Sequence, residues 1–206
     1  MVVVGALAGC GGGGAGATVV ASEAPEAVPG TKAPTAAPSW TMLPGWRGET
    51  IAFPLEFAPS LPYEGVEELR FPPQFFAADD EQYFTYAFVW YIVAPGPADT
   101  EQLEKDLVSY FSGLAQAVGG RDRADVQAAE YTAELTGDLG RDVRGTVKAF
   151  DAFKAQAPVT LHVRARRMAC GQPGMIAIVF AASPRPLGGQ DERWRELDAL
   201  ADDFRC

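Results

Sequence analysis

The stretch 83–93 constrains the fold more than any other part of the chain. Its sequence is YFTYAFVWYIV, and both sets of alternating side chains are apolar. One set contains Phe84, Phe88, Trp90 and Ile92, and the other contains Tyr83, Ala87, Val89 and Tyr91. Because successive side chains of a strand point to opposite faces, this strand must be covered on both. We predict a central core strand with a helix on at least one face of its sheet. An aromatic platform for a ligand is the alternative, and we favour the core, where large apolar side chains usually lie.

The other periodic segments predict more strands and two helices. Pro54 interrupts the first alternating segment, which indicates an edge strand or an extended arm. Asp99 is an N-cap candidate with Gln102 at the capping-box position, and the helix that follows runs to Gly119. A second helix begins near Asp191. The strand-like segments cover 51–57, 66–71, 125–135, 142–151, 159–169 and 175–182. Short turns between consecutive strands favour the α+β class: an antiparallel sheet of about five to six strands with two helices packed on it.

Composition divides the chain into a tether and one domain. Residues 10–45 are rich in glycine, alanine and proline, which favours a flexible and partly extended tether without a packed core. Residues 46–206 carry the periodic apolar pattern, and their number suits a single globular domain.

The tetrapeptide Leu7-Ala8-Gly9-Cys10 resembles the lipobox of bacterial lipoproteins. The resemblance implies that residues 1–9 are a signal peptide and that the Cys10 thiol receives a diacylglyceryl group. It also implies a lipid-anchored chain in the cell envelope, on the extracytoplasmic side. Gly11 after the cysteine fits outer-membrane sorting in a diderm host. The segment lacks the lysine or arginine that opens a signal peptide, and a start codon further upstream would supply it. A glycine-rich N-terminus with an incidental cysteine is the alternative.

The three cysteines support the same compartment. With Cys10 assigned to lipid, Cys170 and Cys206 remain as a pair in an oxidising space. We predict a disulfide between them that clips the last helix to the sheet.

A short basic ribbon is the strongest candidate for ligand contact. His162, Arg164 and Arg166 alternate with apolar residues in strand 159–169, so all three point to the same face. Guanidinium groups bind carboxylate and phosphate well, so the ribbon is a candidate site for an anionic ligand. A solvated face, or arginines paired with neighbouring carboxylates, is the alternative.

The sequence gives little support for nucleic-acid binding, a metal site or a catalytic motif. The net charge of −10 argues against nucleic acid as a partner. With one histidine, the sequence has no transition-metal spacing, and it has no Gly-x-Ser-x-Gly elbow or phosphate loop. His162 lies about 26 Å from Cys170 along an extended strand, too far for a nucleophilic pair. Adjacent acids at 79–81 favour a solvated turn over a calcium site. We therefore expect no cofactor and no metal, and we assign no catalytic residue.

These observations favour a lipid-anchored envelope protein whose domain is a non-catalytic binding or structural module. Its partner would be an envelope protein, a polysaccharide or a small ligand. Trp40, Trp46 and Tyr63 offer rings for sugar stacking, although we favour packing against the sheet. The alternative function is an envelope hydrolase with paired carboxylates. It would require two acids with raised pKa values in a concave pocket.

Overall fold

A computed structural model describes residues 38–188 and 191–206 of the chain. The expected signal peptide, the lipidation site Cys10 and the tether up to residue 37 lie outside these residues.

The described residues form one antiparallel sheet with helices on both faces, which confirms the α+β class. The sheet has seven strands in the order β1-β2-β3-β7-β6-β5-β4, rather than five to six. In chain order the strands are β1 (Arg47–Phe53), β2 (Gly65–Phe71), β3 (Tyr86–Val93), β4 (Thr132–Asp138), β5 (Asp142–Asp151), β6 (Ala157–Ala169) and β7 (Met175–Ser183). The helices are α1 (Thr100–Gly119), α2 (Ala124–Ala128) and α3 (Glu192–Asp203).

β3 is an interior strand that is covered on both faces, as residues 83–93 predict, and it lies beside the middle strand β7. Phe88 packs on its inner face between two rings, 4.3 Å from Phe180 of β7 and 5.6 Å from Tyr110 of α1, measured between centroids. On the outer face Ala87 packs beside Trp194 of α3. α1 and α3 thus lie on opposite faces of the sheet. Both apolar faces of the strand are covered because each would otherwise expose aromatic or aliphatic surface to water.

Helix α1 begins and ends where the sequence indicates. The Asp99 side chain accepts a hydrogen bond from the backbone N–H of Gln102 at 2.8 Å. Gly120 follows the last residue of the helix, with a φ angle of 98°. The capping box is only half formed, because the Gln102 side chain donates to Asp106 and not to the cap. The side chain of Gln102 thus bonds to a buried carboxylate, and the local sequence pattern alone does not reveal that Asp106 is buried.

Several boundaries differ from the sequence prediction. The first strand covers Arg47–Phe53 and not 51–57, because its pairing ends before Pro54, which has no backbone N–H to donate. β3 begins at Tyr86 and not at residue 83. The segment 125–135 is not one strand, because α2 occupies its first part and Val126 is buried there against α1. The short helix buries Val126 beside Phe150, which an extended chain there would not do. Pro158 lies inside β6, opposite Phe150, and does not precede the strand.

The two ends of the domain meet beside α3. The structure places Cys170 and Cys206 as a disulfide pair, the one that the sequence predicts. Ser39 forms a β-bridge with Arg205, and the indole N–H of Trp40 donates to the carbonyl oxygen of Leu200 at 2.8 Å. The arm before β1 therefore packs on the C-terminal end of α3. None of the helices in the described ranges is long and apolar enough to cross a membrane.

Candidate functional site: the polar face of strands β4 to β6

The outer face of the sheet changes character beside α3. This helix packs against β3 and β7. The inner face of the neighbouring strands belongs to the main core through Leu135, Val147 and Leu161. By alternation their other side chains lie on the outer face. We call this set the polar face: Thr132, Glu134, Thr136, Arg144, Thr146, Lys148, Thr160, His162, Arg164 and Arg166.

A groove runs where the polar face meets α3. Its volume is about 210 Å³. Basic and acidic side chains line it together with small apolar ones: Arg144, Arg164, Arg166, Asp142, Asp198, Asp202, Val179, Ala181 and Ala201. Strand alternation positions the arginines, and helical periodicity places both α3 acids toward them. The groove is thus a charged concave surface above the edge of an apolar core.

The arginines in the groove bind the acidic side of α3. Arg164 forms an ion pair with Asp198, and its guanidinium lies 5.1 Å from the Trp194 ring centroid. The Nη1 atom of Arg166 lies 2.8 Å from Oδ1 of Asp202, and its Nη2 donates to the Ala201 carbonyl oxygen. Arginine pairing with neighbouring carboxylates is the alternative that the sequence left open. These contacts hold α3 on the sheet and neutralise much of the positive charge.

Some donors of this groove are nevertheless unused. The Nε–H groups of Arg164 and Arg166 are buried and lack an acceptor within the described residues. His162 lies half-buried opposite Thr146 and Ser183, without a hydrogen bond or ion pair to any described side chain. An anionic group could accept from these donors only by competing with the α3 carboxylates. The three residues share a face as predicted, and their contact with a ligand stays a prediction.

A second polar cluster lies inside the core, under α1. Glu67 of β2 is fully buried, and the Trp90 indole N–H donates to its Oε1 at 3.1 Å. Burial raises the pKa of the Glu67 carboxyl to about 8. Hydrogen bonds to this carboxyl from Tyr110 and Trp90 oppose the rise in its pKa but do not outweigh the burial. Burial also raises the pKa of Tyr110, on α1, and the Glu67 charge adds to this rise. Glu67 is therefore protonated at neutral pH, enclosed by aromatic rings.

Asp106 is the second acid of this cluster. The Tyr63 hydroxyl donates to one oxygen of the Asp106 carboxylate, and the side-chain amide of Gln102 donates to the other oxygen at 2.9 Å. Burial raises the pKa of Asp106, although both hydrogen bonds oppose the rise. Tyr63 thus packs in the core, where its ring lies 6.0 Å from that of Trp90.

Sequence analysis missed both acids, although a signal for each existed. Glu67 shares its strand face with the apolar Leu69 and Phe71, and Asp106 lies on the apolar stripe of α1 beside Leu107. An acid at an apolar position of a periodic segment is a candidate buried acid. Only the tertiary structure could distinguish burial from a local break in the pattern.

These acids lack the concave pocket that a hydrolase requires. Neither lines the groove, and neither lines a second cavity of about 510 Å³ near Thr100 and Arg167. Glu67 and Asp106 are 0% and 3% exposed, so the packed core separates both from solvent. Within residues 38–188 and 191–206, no three His, Cys, Asp or Glu side chains converge as metal ligands would.

Comparisons of the chain with family models, curated proteins and solved structures give no match. The residues described above are therefore the basis for its functional assignment.

Proposed function

We propose that this protein is a lipid-anchored protein of the bacterial cell envelope with a non-catalytic binding domain. The resemblance of Leu7-Ala8-Gly9-Cys10 to a lipobox supports the anchor. The pairing of Cys170 with Cys206 supports an oxidising compartment, since disulfides persist outside the cytosol. The two α3 acids that line the groove, Asp198 and Asp202, are held in ion pairs with its arginines. The two core acids are buried away from either cavity. Both observations support binding over hydrolysis.

The binding surface in this proposal is the groove between β6 and α3, and its ligand carries an anionic group. The observation that carries the assignment is that the groove is lined by Arg164 and Arg166, whose Nε–H donors have no acceptor among the described residues. His162 lies on the adjoining polar face and likewise has no partner in that part of the chain. A carboxylate or phosphate matches these planar donors. Asp198 and Asp202 make binding selective, because a ligand must offer better geometry than these resident carboxylates.

A titration of the full chain by ¹H–¹⁵N NMR tests the proposal. Inorganic phosphate and acetate serve as probes of the two anion classes. We expect amide shifts confined to β6 and the facing turns of α3. The double substitution Arg164→Ala with Arg166→Ala should weaken binding at least about tenfold, because each lost charge-assisted hydrogen bond costs on the order of 1.5–3 kcal/mol.

Lys105→Ala is the matched control, since it removes an exposed positive charge from α1 on the other side of the sheet. This variant should bind as the native chain does. Unchanged spectra with both probes, or equal affinity in the double variant, would contradict an anion site in the groove.

A further inference from the structure

The two edge strands of the sheet differ in the hydrogen bonds that side chains make to their outward backbone groups. At the β4 edge, α1 supplies hydrogen bonds to the outward backbone: Glu104 accepts from the Leu135 amide at 2.6 Å, and Thr100 donates to the Gly137 carbonyl oxygen at 3.3 Å. At the β1 edge, no side chain of the described residues bonds to the strand backbone. An open edge offers a row of amide and carbonyl groups to another strand. β1 is thus the edge at which the sheet can be extended.

Apolar side chains flank the start of this open edge on both faces. Met42 is 44% exposed, and its methyl group lies over Gly48 on the outer face. Phe76 is 45% exposed, and its ring lies 5.7 Å from the Arg47 guanidinium on the inner face. An added strand would cover both side chains. Burial of this apolar surface would contribute to affinity beyond the backbone hydrogen bonds.

The charges of β1 favour one particular occupant, a second copy of the same strand. In a twofold antiparallel pair, directly opposite residues lie on the same face, so some residue must lie opposite its own copy. With Gly48 at that centre, Arg47 lies opposite Glu49 of the other copy, and the pair occurs twice. Cross-strand pairs of opposite charge stabilise a sheet. Gly48 itself has no side chain, so the two Met42 side chains can approach each other.

Pairings centred on a residue near Gly48 do not place Arg47 opposite Glu49. A centre at Arg47 or at Glu49 places like charges directly opposite each other, which is destabilising. A centre at Thr50 places Glu49 opposite the half-buried Ile51, so the charge has no partner. The sequence of the open edge therefore selects one register among these.

We propose that the protein forms a homodimer through β1, by antiparallel pairing centred on Gly48. The two sheets join into one continuous sheet, and Arg47 and Glu49 of each copy pair across the interface. The arm that ends at Trp46 leads directly into β1, so the two N-terminal segments approach the interface together. The dimer does not depend on the anion site, which lies on the other half of the sheet.

Sedimentation velocity over a concentration series tests the proposal. The full chain carries Cys10→Ser in every sample, which removes acylation and stray disulfide exchange. We expect the native edge to show a reversible monomer–dimer equilibrium. Glu49→Arg and Arg47→Glu should each weaken association at least about tenfold, because each places like charges opposite one another twice. Circular dichroism verifies that these exposed substitutions leave the fold intact.

An equimolar mixture of the two variants is the decisive measurement. Its heterodimer restores both opposite-charge pairs, so association should return to near the native strength. Glu101→Arg, an exposed reversal on α1, is the control and should dimerise normally. A native chain that stays monomeric to millimolar concentration would overturn the proposal. So would a dimer that survives both single reversals, or a mixture that fails to associate.

Discussion

At the scale of single residues, Glu67 is the most unusual position in the domain. Side chains from several elements surround it: Trp90 and Tyr86 come from β3, Tyr110 from α1, and Glu49 acts from β1. Burial raises the pKa of the Glu67 carboxyl to about 8, and the charge of Glu49 adds to this rise. Hydrogen bonds from Tyr110 and Trp90 favour the charged carboxylate, but burial outweighs them, so the folded state favours the neutral acid.

This raised pKa predicts a stability that falls as the pH rises. The unfolded chain releases the Glu67 proton near pH 4.5, whereas the folded chain keeps it up to about pH 8. Between these values unfolding releases a proton, so the free energy of unfolding decreases by roughly 1 kcal/mol per pH unit. In the variant Glu67→Gln the side chain at this position cannot ionise, and its amide oxygen can still accept the hydrogen bond from the Trp90 indole N–H. We therefore expect it to flatten the profile and to be the more stable form at pH 8.

Urea denaturation between pH 5 and pH 9 provides the measurement. Glu64→Gln, an exposed change in the turn before β2, is the control and should keep the native slope. Equal slopes in the native chain and in Glu67→Gln would show that Glu67 does not hold a proton in the fold.

At the scale of elements, the connection between β1 and β2 packs closely on α1. This segment, 54–64, buries Leu55, Ala58 and Leu61. Its backbone at Phe57 lies so near Gly113 that a Cβ at this glycine would collide with the Phe57 carbonyl oxygen. The glycine in the middle of α1 is thus a packing requirement, although it costs about 1 kcal/mol of helix propensity relative to alanine.

Gly113→Ala should consequently destabilise the domain. The gain in helix propensity is outweighed by overpacking against a backbone carbonyl, so we expect a net loss of roughly 1–3 kcal/mol. Thermal and urea unfolding measure this loss. Gly171→Ala is the matched control, because a Cβ there meets no atom within 4 Å. The prediction fails if Gly113→Ala is as stable as the native chain.

The elements themselves were largely predictable from the sequence, while their contacts were not. The cap Asp99, a helix that begins near Asp191 and the two-sided strand β3 follow from local patterns, and the structure confirms them. The candidate site was predictable only as a shared face of His162, Arg164 and Arg166. The pairing of the two arginines with α3 brings together residues more than thirty positions apart, as in the bond between Arg164 and Asp198.

At the scale of the whole molecule, both ends of the domain converge on the C-terminal end of α3. Cys206 bonds to the end of β6, and Thr41 of the arm donates its backbone amide to Asp203. The arm leads back toward the residues of the proposed tether. One measurement addresses both the proposed anchor and the disulfide.

Intact mass of protein extracted from native membranes tests the anchor. We expect a chain that begins at Cys10 and carries acyl groups, because two or more chains are needed for stable anchoring. Alkylation without reduction should add no mass, since Cys170 and Cys206 are bonded to each other. A chain that retains residues 1–9 with a free Cys10 thiol would contradict the lipoprotein assignment.

The sequence by itself determined the α+β class, the two-sided strand β3 and the N-cap of α1, because each depends on the spacing of residues close together in the chain. It also indicated the partner of Cys170, since only one cysteine remained for it in the lipoprotein interpretation. Only the tertiary structure decided that Glu67 and Asp106 are buried and that α3 neutralises the basic ribbon. It alone also showed that, among residues 38–188 and 191–206, side chains bond to the outward backbone of β4 but not to that of β1. These properties depend on which distant segments pack together, and the free energy of that packing is a sum over the whole core.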